Sequence, residues 1–201
     1  MSPLAGRLAA GLAFAAGVTA PFSAATARGA APAPVRAALV VHWGPGAGSD
    51  AYRADFARAA ADTFGSKCFA SVLVAEPGAV TEGAEVVLDI VLSDVFDEIR
   101  FDDSIATALQ PGEPSQELRR VAQFTMTVDA TLTPAGTPRV IVAKRFVVNE
   151  ERRPLYVGED PLETVRTEAI RDAVRDLARK LGCGSGTLDR KIRDALSEAK
   201  P

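Results

Sequence analysis

The chain has 201 residues, with 23 basic and 26 acidic side chains, one His and two Cys. This length fits one domain with short appendages, and the nearly balanced charge excludes a strongly basic nucleic-acid binder, which needs a clustered surplus of Lys and Arg. One His and two Cys exclude most multi-histidine metal sites, a four-Cys zinc site and a disulfide-dense miniprotein.

The amino terminus has the pattern of a secretory signal peptide. Arg7 is the only basic residue before position 28, and residues 8–20 are apolar or small without interruption. This run is shorter than the roughly 20 residues that cross a bilayer, and small residues suited to cleavage follow it. We predict a signal peptide over residues 1–27, with a retained membrane anchor as the alternative, and a flexible linker over residues 28–36. No stable membrane span is expected once the signal is removed.

Short apolar runs and one helical repeat follow the linker. Residues 37–43 are apolar and end at a Gly-Pro-Gly turn, which is typical of a buried strand. Apolar residues at helical spacing over residues 52–64 predict a helix that ends at Gly65. Residues 69–74 predict a second short strand.

Alternation of apolar and polar residues then predicts three further strands. The alternation extends over residues 86–96 and is nearly complete over residues 122–132. A Gly-containing turn leads into a last strand over residues 140–148, so residues 121–148 are expected to form a hairpin. Period-two patterning of this kind indicates a sheet with one buried and one solvent-exposed face.

The carboxy-terminal part is helical. Asp160 is a capping candidate, Pro161 suits the first helical position, and an apolar stripe continues until Gly182. A short amphipathic helix is expected in the tail, residues 183–201. The order is therefore β-α-β-β-β-β-α plus a C-terminal helix. We predict one α+β domain over residues 37–182, in which two helices pack on one face of a mainly antiparallel sheet of four to five strands.

The two cysteines are predicted to form a disulfide. An exported chain enters an oxidising compartment, where paired thiols become disulfides. A Cys68–Cys183 bridge would close a loop of about 115 residues, which chain-entropy arguments value at about 4–5 kcal/mol. If residues 75–85 formed a simple hairpin, the long helix would end far from Cys68. The disulfide therefore implies a crossover or a bend in that connection, because the two Cα atoms must approach within about 7 Å.

Three patterns suggest chemistry, and each has a simpler structural interpretation. The Gly-rich turn over residues 44–50 lacks the lysine of a phosphate loop. His42 lies at the end of an apolar strand, and the chain has no G-x-S-x-G nucleophile elbow. The acidic run Asp94, Asp97, Glu98, Asp102 and Asp103 does not have the spacing of a calcium loop. We therefore predict no catalytic, cofactor-binding or metal-binding residue.

Two polar groups are better candidates for contact with a partner. A long polar connection covers residues 102–117, and connections of this length are often functional. It begins with Asp102 and Asp103. The second group is basic and near the last strand, where it suits a protein surface or anionic lipid headgroups; it comprises Lys144, Arg145, Arg152 and Arg153.

The succession of elements resembles a group of cell-envelope proteins. They are auxiliary components of ABC-type lipid or solvent transport systems and similarly built outer-membrane assembly and penicillin-binding-protein activator lipoproteins. Those relatives are usually lipid-anchored, whereas no Cys is near the predicted cleavage sites here. The Cys68/Cys183 pair is not part of the pattern either. The resemblance covers about residues 37–182 and rests on Phe56, Phe64, Ala84-Glu85-Val86-Val87-Leu88, Gly136, Arg139-Val140, Arg145-Phe146, Ala169, Leu177 and Leu181.

The resemblance and the residue patterns lead to one expectation about function. We expect a non-enzymatic, exported, periplasmic or secreted accessory module that binds an envelope protein or a lipid-transport component and no nucleic acid. Two alternatives stay open: an enzyme that uses carboxylates, with or without calcium, and a carrier of a small ligand or lipid.

Overall fold

The computed structural model describes residues 35–44, 50–79, 81–102, 120–155 and 159–199. The predicted signal peptide, most of the linker, Asp103 and the rest of the 103–117 connection lie outside the described residues. The elements are β1 (Arg36–Trp43), α1 (Asp50–Lys67), β2 (Ser71–Ala75), β3 (Val86–Phe101), β4 (Arg120–Pro134), β5 (Val142–Arg152), α2 (Pro161–Leu181) and α3 (Thr187–Glu198).

The five strands form one mixed sheet in the order β2-β1-β3-β4-β5. β1 pairs in parallel with both β2 and β3, whereas β3–β4 and β4–β5 are antiparallel. The predicted α+β class, the element order and the hairpin of the last two strands are confirmed. The parallel pairs arise because β1 lies between β2 and β3, so that helix α1 links two neighbouring parallel strands.

The connection between β2 and β3 is a crossover. Because β2 and β3 are both parallel to β1 and lie on opposite sides of it, the chain must return after Ala75 to the edge of the sheet where β1 begins, and β3 starts there with Val86 beside Ala37. β5 is consequently also parallel to β1, so α1 and α2, which follow β1 and β5, run in the same direction. Both helices therefore end at the same edge of the domain, which is the arrangement that the disulfide requires.

Cys68 and Cys183 are joined at this edge. Their Cα atoms lie 4.8 Å apart, across 115 positions of sequence. Each cysteine follows the end of one of the two long helices, and Cys68 is buried. The bridge therefore ties the ends of α1 and α2 together.

The long helix begins and ends where its sequence predicts. The Asp160 carboxylate accepts a hydrogen bond from the Leu162 N–H at 2.9 Å, and Pro161 occupies the first turn. Gly182 adopts φ 84° at the C-cap, a conformation that glycine takes without steric cost. By contrast, α1 continues two residues beyond Gly65, because Phe64 and Cys68 on either side of that glycine are both buried and hold the last turn in place.

Large apolar side chains fill the space between the sheet and the helices. Side chains with less than 2 % exposure there include Phe56 and Phe64 of α1, Phe124 of β4 and Leu177 of α2. Helix α3 adds Leu188, Ile192 and Ala195 to the buried set. A close-packed interior of this kind fixes the positions of the strands relative to the helices.

The predicted bounds of three strands differ from the structure. Phe69 was expected to begin β2 but packs edge-on against Phe64, 6.4 Å between ring centres, so β2 starts two residues later. β3 continues to Phe101 rather than ending at residue 96, and β5 continues to Arg152. The longer β3 and β5 create the candidate site described next.

Candidate binding site at the end of the sheet

Three strands extend beyond the end of β1. The last β1 pair is Trp43 with Leu92, and β3 continues from there beside β4 and β5. We call this extension the distal arm: residues 93–101 of β3, 120–127 of β4 and 147–152 of β5. It lies at the edge of the domain where α1 and α2 begin, opposite the disulfide.

A β-bulge at the base of the distal arm reverses the two faces of β3. The register shifts between Ser93 and Phe96, so Asp94 and Val95 both stand opposite Met126. Asp94 has φ 50°, a left-handed conformation that is uncommon outside glycine and that Asp tolerates better than most residues. Before the bulge, even-numbered residues of β3 face the helices; after it, odd-numbered residues do.

The bulge brings Asp97 between the two helices. Its carboxylate accepts hydrogen bonds from the Tyr52 hydroxyl of α1 at 3.1 Å and from the Arg166 Nε of α2 at 2.8 Å. A second donor of the Arg166 guanidinium, Nη2, contacts the same oxygen. The guanidinium carbon lies 4.8 Å from the centre of the Tyr52 ring, within the range of a cation–π contact. Asp97, Tyr52 and Arg166 therefore join a strand and both long helices.

Further ion pairs fix β5 and the residues after it. Arg152 contacts Glu168 of α2 at 2.5 Å and Glu159 at 3.8 Å. Arg153 pairs with Asp102, which follows β3. Arg100 and Glu151 pair at 2.5 Å across the arm. These ion pairs join β5 to β3 and to α2.

The sequence-predicted contact residues divide into two groups. Next to the distal arm, Asp102 pairs with Arg153, and Arg152 pairs with Glu168 of α2. Lys144 and Arg145 lie near the beginning of β5, opposite Ala130 and Asp129 of β4. Arg145 lies 3.6 Å from the Asp129 carboxylate. The basic group therefore does not form one surface.

Large apolar side chains are exposed at the same end of the molecule. Phe96 is 51 % exposed, Phe101 57 % and Leu155, just after β5, 76 %. Phe96 and Phe101 lie on opposite faces of β3, since five positions separate them. Exposed aromatic side chains beside fixed charges are typical of protein-binding surfaces.

A groove of about 410 Å³ runs between α1 and α2 next to Asp97. Its walls mix basic and acidic side chains with a few apolar ones. The lining includes Arg58, Asp62, Glu163, Arg166, Ile170 and Arg171. Because basic and acidic side chains both line the groove, its charge favours neither an anionic nor a cationic ligand.

The structure separates the side chains that suggested chemistry. His42 Nε2 lies 2.8 Å from Asp89 Oδ1 on the face of the sheet without the two long helices. In the acidic run, Asp97 and Glu98 point to opposite faces of β3, while Asp102 pairs with Arg153. Within the described ranges, no three His, Cys, Asp or Glu side chains come together in a way that suits a metal ion.

We expect Asp97→Asn to lower the free energy of unfolding by about 1–3 kcal/mol, because the partly buried Arg166 loses its anionic partner. The control is Asp172→Asn, which removes an exposed pair with Arg175 on the outer side of α2, where about 0.5 kcal/mol or less is expected. Urea denaturation measures both. If the two variants lost equal amounts of unfolding free energy, the Asp97–Arg166 pair would not stabilise the fold more than an exposed ion pair does.

Sequence reasoning did not identify Tyr52 and Arg166 as site residues. The helical spacing of apolar residues predicts Tyr52 as a core position of α1, and Arg166 lies 69 residues from Asp97 in the sequence. One local signal was present: the alternation that begins at Val86 loses its phase at Asp94 and Val95. A phase change in a strand indicates a bulge, and bulges often lie beside functional sites.

Comparison with known proteins finds similarity in the fold. Neither a family model nor a curated protein sequence matches the chain. Among solved structures, a Helicobacter pylori protein described as a homolog of neuraminyllactose-binding hemagglutinin is 8 % identical and has a TM-score of 0.49, covering 81 % of this chain and 93 % of that one. XCC0632 from Xanthomonas campestris is 15 % identical, with a TM-score of 0.44 and coverage of 81 % and 92 %.

Lipoprotein GNA1162 from Neisseria meningitidis is 11 % identical, with a TM-score of 0.40 and coverage of 72 % of this chain and 99 % of that one. The likenesses to these bacterial proteins concern the arrangement of helices and strands. As for membrane crossing, no helix in the described part of the chain has both the length and the apolar character that a span needs.

Proposed function

We propose that this chain is an exported binding module of the cell envelope that engages a protein partner through the distal arm. The observation that carries the proposal is the exposure of Phe96 and Phe101 on the distal arm and of Leu155 just after it. Ion pairs beside these side chains join the end of β5 to α2 and to the residue after β3. A surface that is already ordered loses little conformational entropy on binding, and aromatic anchors contribute much of the energy of protein interfaces.

The paired charges favour binding over catalysis. A general acid, a general base or a nucleophile must be able to reach a substrate, whereas Asp97, Arg152 and Arg153 are each occupied by a partner in the same chain. These pairs instead position the backbone of the arm. On this proposal, they determine the shape that a partner recognises.

Export to an oxidising compartment is the second part of the proposal. It is supported by the signal-peptide pattern of residues 1–27 and by the joined Cys68 and Cys183. A role as an auxiliary component of a transport or assembly system is the form of binding that the resemblance stated above favours.

The test is affinity capture from an envelope extract with variants of the arm. We expect Phe101→Ser with Leu155→Ser to reduce the recovery of a specific partner at least tenfold, because about 1.4 kcal/mol of lost binding energy corresponds to that factor. Val140→Ser is the control, since Val140 is 53 % exposed at the opposite end of the sheet, next to the β4–β5 turn. If the wild type, the double Ser variant and Val140→Ser recovered equal amounts of the partner, binding through the arm would be refuted.

A further inference from the structure

The two edges of the sheet differ in how they are protected. Unpaired edge strands attract other strands, and proteins usually protect them with charged residues, prolines or bulges. β5 forms one edge and carries Lys144, Arg145, Glu150, Glu151 and Arg152 within 11 residues. β2 forms the other edge and reads Ser-Val-Leu-Val-Ala, without a charge or a proline. β2 is thus the unprotected edge.

β2 also exposes apolar side chains on both of its faces. Leu73 is 56 % exposed and Val74, its neighbour on the opposite face, is 48 % exposed. On its inner side β2 pairs with residues 36–40 of β1, and no described strand lies on its outer side. A short apolar strand that is open on both faces and along its outer edge is suited to pair with one more strand.

A groove next to β2 continues this apolar surface. It measures about 340 Å³ and lies between α1 and the edge of the sheet. Small and apolar side chains form much of its wall, namely Val41, Ala54, Ala57, Ala61, Val74 and Ala75. The side chains of an added strand on the helical side would therefore meet an apolar surface.

The charges at the two ends of β2 favour a second copy of this chain as the occupant. Lys67 ends α1 just before β2, and Glu76 follows β2 directly. The Glu76 carboxylate pairs with Arg53 of the same chain at 3.1 Å, but its side chain is 80 % exposed and can accept a second cation. In an antiparallel pair of identical strands, the beginning of one strand lies beside the end of the other. Lys67 of each copy then comes near the partner's Glu76, so the same surface complements itself, as a two-fold contact requires.

We propose that the chain forms a two-fold symmetric dimer in which β2 pairs antiparallel with the partner's β2, so that one sheet extends across both copies. The two-fold axis passes at Leu73, the central residue of the strand, and the two Leu73 side chains face each other there. Val74 packs beside the partner's Val72 on the helical side. This contact uses the edge opposite β5 and leaves the distal arm free.

Light scattering coupled to gel filtration of the disulfide-bonded chain tests this dimer. The wild-type protein is expected to have twice the mass of one chain. Leu73→Lys and Leu73→Glu are each expected to be monomeric, because directly opposed residues of antiparallel strands lie about 5 Å apart and like charges there repel. An equimolar mixture of the two variants is expected to regain the dimer mass, since the opposed charges then attract.

Val147→Lys is the control, because Val147 is 63 % exposed on the protected edge strand β5. We expect this variant to remain dimeric, and circular dichroism checks that all variants are folded. A wild-type monomer at every concentration would overturn the proposal, as would a dimer that survives Leu73→Lys. If the mixture of Leu73→Lys and Leu73→Glu stayed monomeric, a two-fold axis at Leu73 would be excluded.

Discussion

Replacing Cys68 and Cys183 together by Ser is expected to lower the free energy of unfolding by about 4–5 kcal/mol. The bridge closes a loop of 115 residues, and a cross-link of that span lowers the conformational entropy of the unfolded chain by this amount. Domains of this size are stable by only about 5–15 kcal/mol, so the variant is expected to be close to its stability limit at physiological temperature.

The measurement is urea denaturation of oxidised wild type, reduced wild type and the double variant. Reduced wild type and the double Ser variant are expected to unfold at the same urea concentration, since both lack only the cross-link. The single variant Cys68→Ser is expected to match them, because the remaining thiol at Cys183 has no partner. If oxidised and reduced wild type had equal midpoints, the bridge would not contribute to stability.

The second large effect is expected for Phe124→Ala, which should cost about 3–5 kcal/mol. Phe124 is fully buried on β4, directly opposite Asp97, and its ring lies edge-on to Tyr52 with 6.2 Å between ring centres. Removing the ring leaves a cavity below the Asp97, Tyr52 and Arg166 contacts. The variant is therefore expected to loosen the base of the distal arm as well as the core.

Phe96→Ala is the matched control for this change. Phe96 lies on the neighbouring strand, one position from Asp97, but it faces away from the two long helices and is half exposed. Its loss is expected to cost about 1 kcal/mol or less, because the side chain is removed from a largely solvated position. Urea denaturation compares the two variants. Equal costs would mean that Phe124 does not fill the space that the structure assigns to it.

Much of the fold could be predicted from local patterns. The alternation in β3 and β4, the Asp160-Pro161 start of α2 and its Gly182 end each depend on residues within a few positions of one another. Patterns of that range reflect side-chain periodicity and end capping, which act the same way in any fold. The pairing of Cys68 with Cys183 could also be predicted, since a chain with two cysteines offers only one intramolecular pair.

Only part of the candidate site could be predicted from the sequence. The sequence predicts two separate contact candidates, Asp102 with Asp103 and the basic group near the last strand. The pairs Arg153–Asp102 and Arg152–Glu168 could not be predicted, because they depend on which strands extend past β1. Lys144 and Arg145 belong to the same basic group in the sequence, although they lie near the beginning of β5 and Arg152 lies at its end.

The sequence by itself determined the order of the elements, the two caps of α2 and the single possible disulfide, because these depend on neighbouring residues or on residue counts. Only the tertiary structure decided the crossover after β2, the direction of the two long helices and the placement of Asp97 between them. The physical reason is that one bulge at Asp94 and Val95 reverses which side chains face the helices, and contacts across 69 residues depend on how the strands pack in three dimensions.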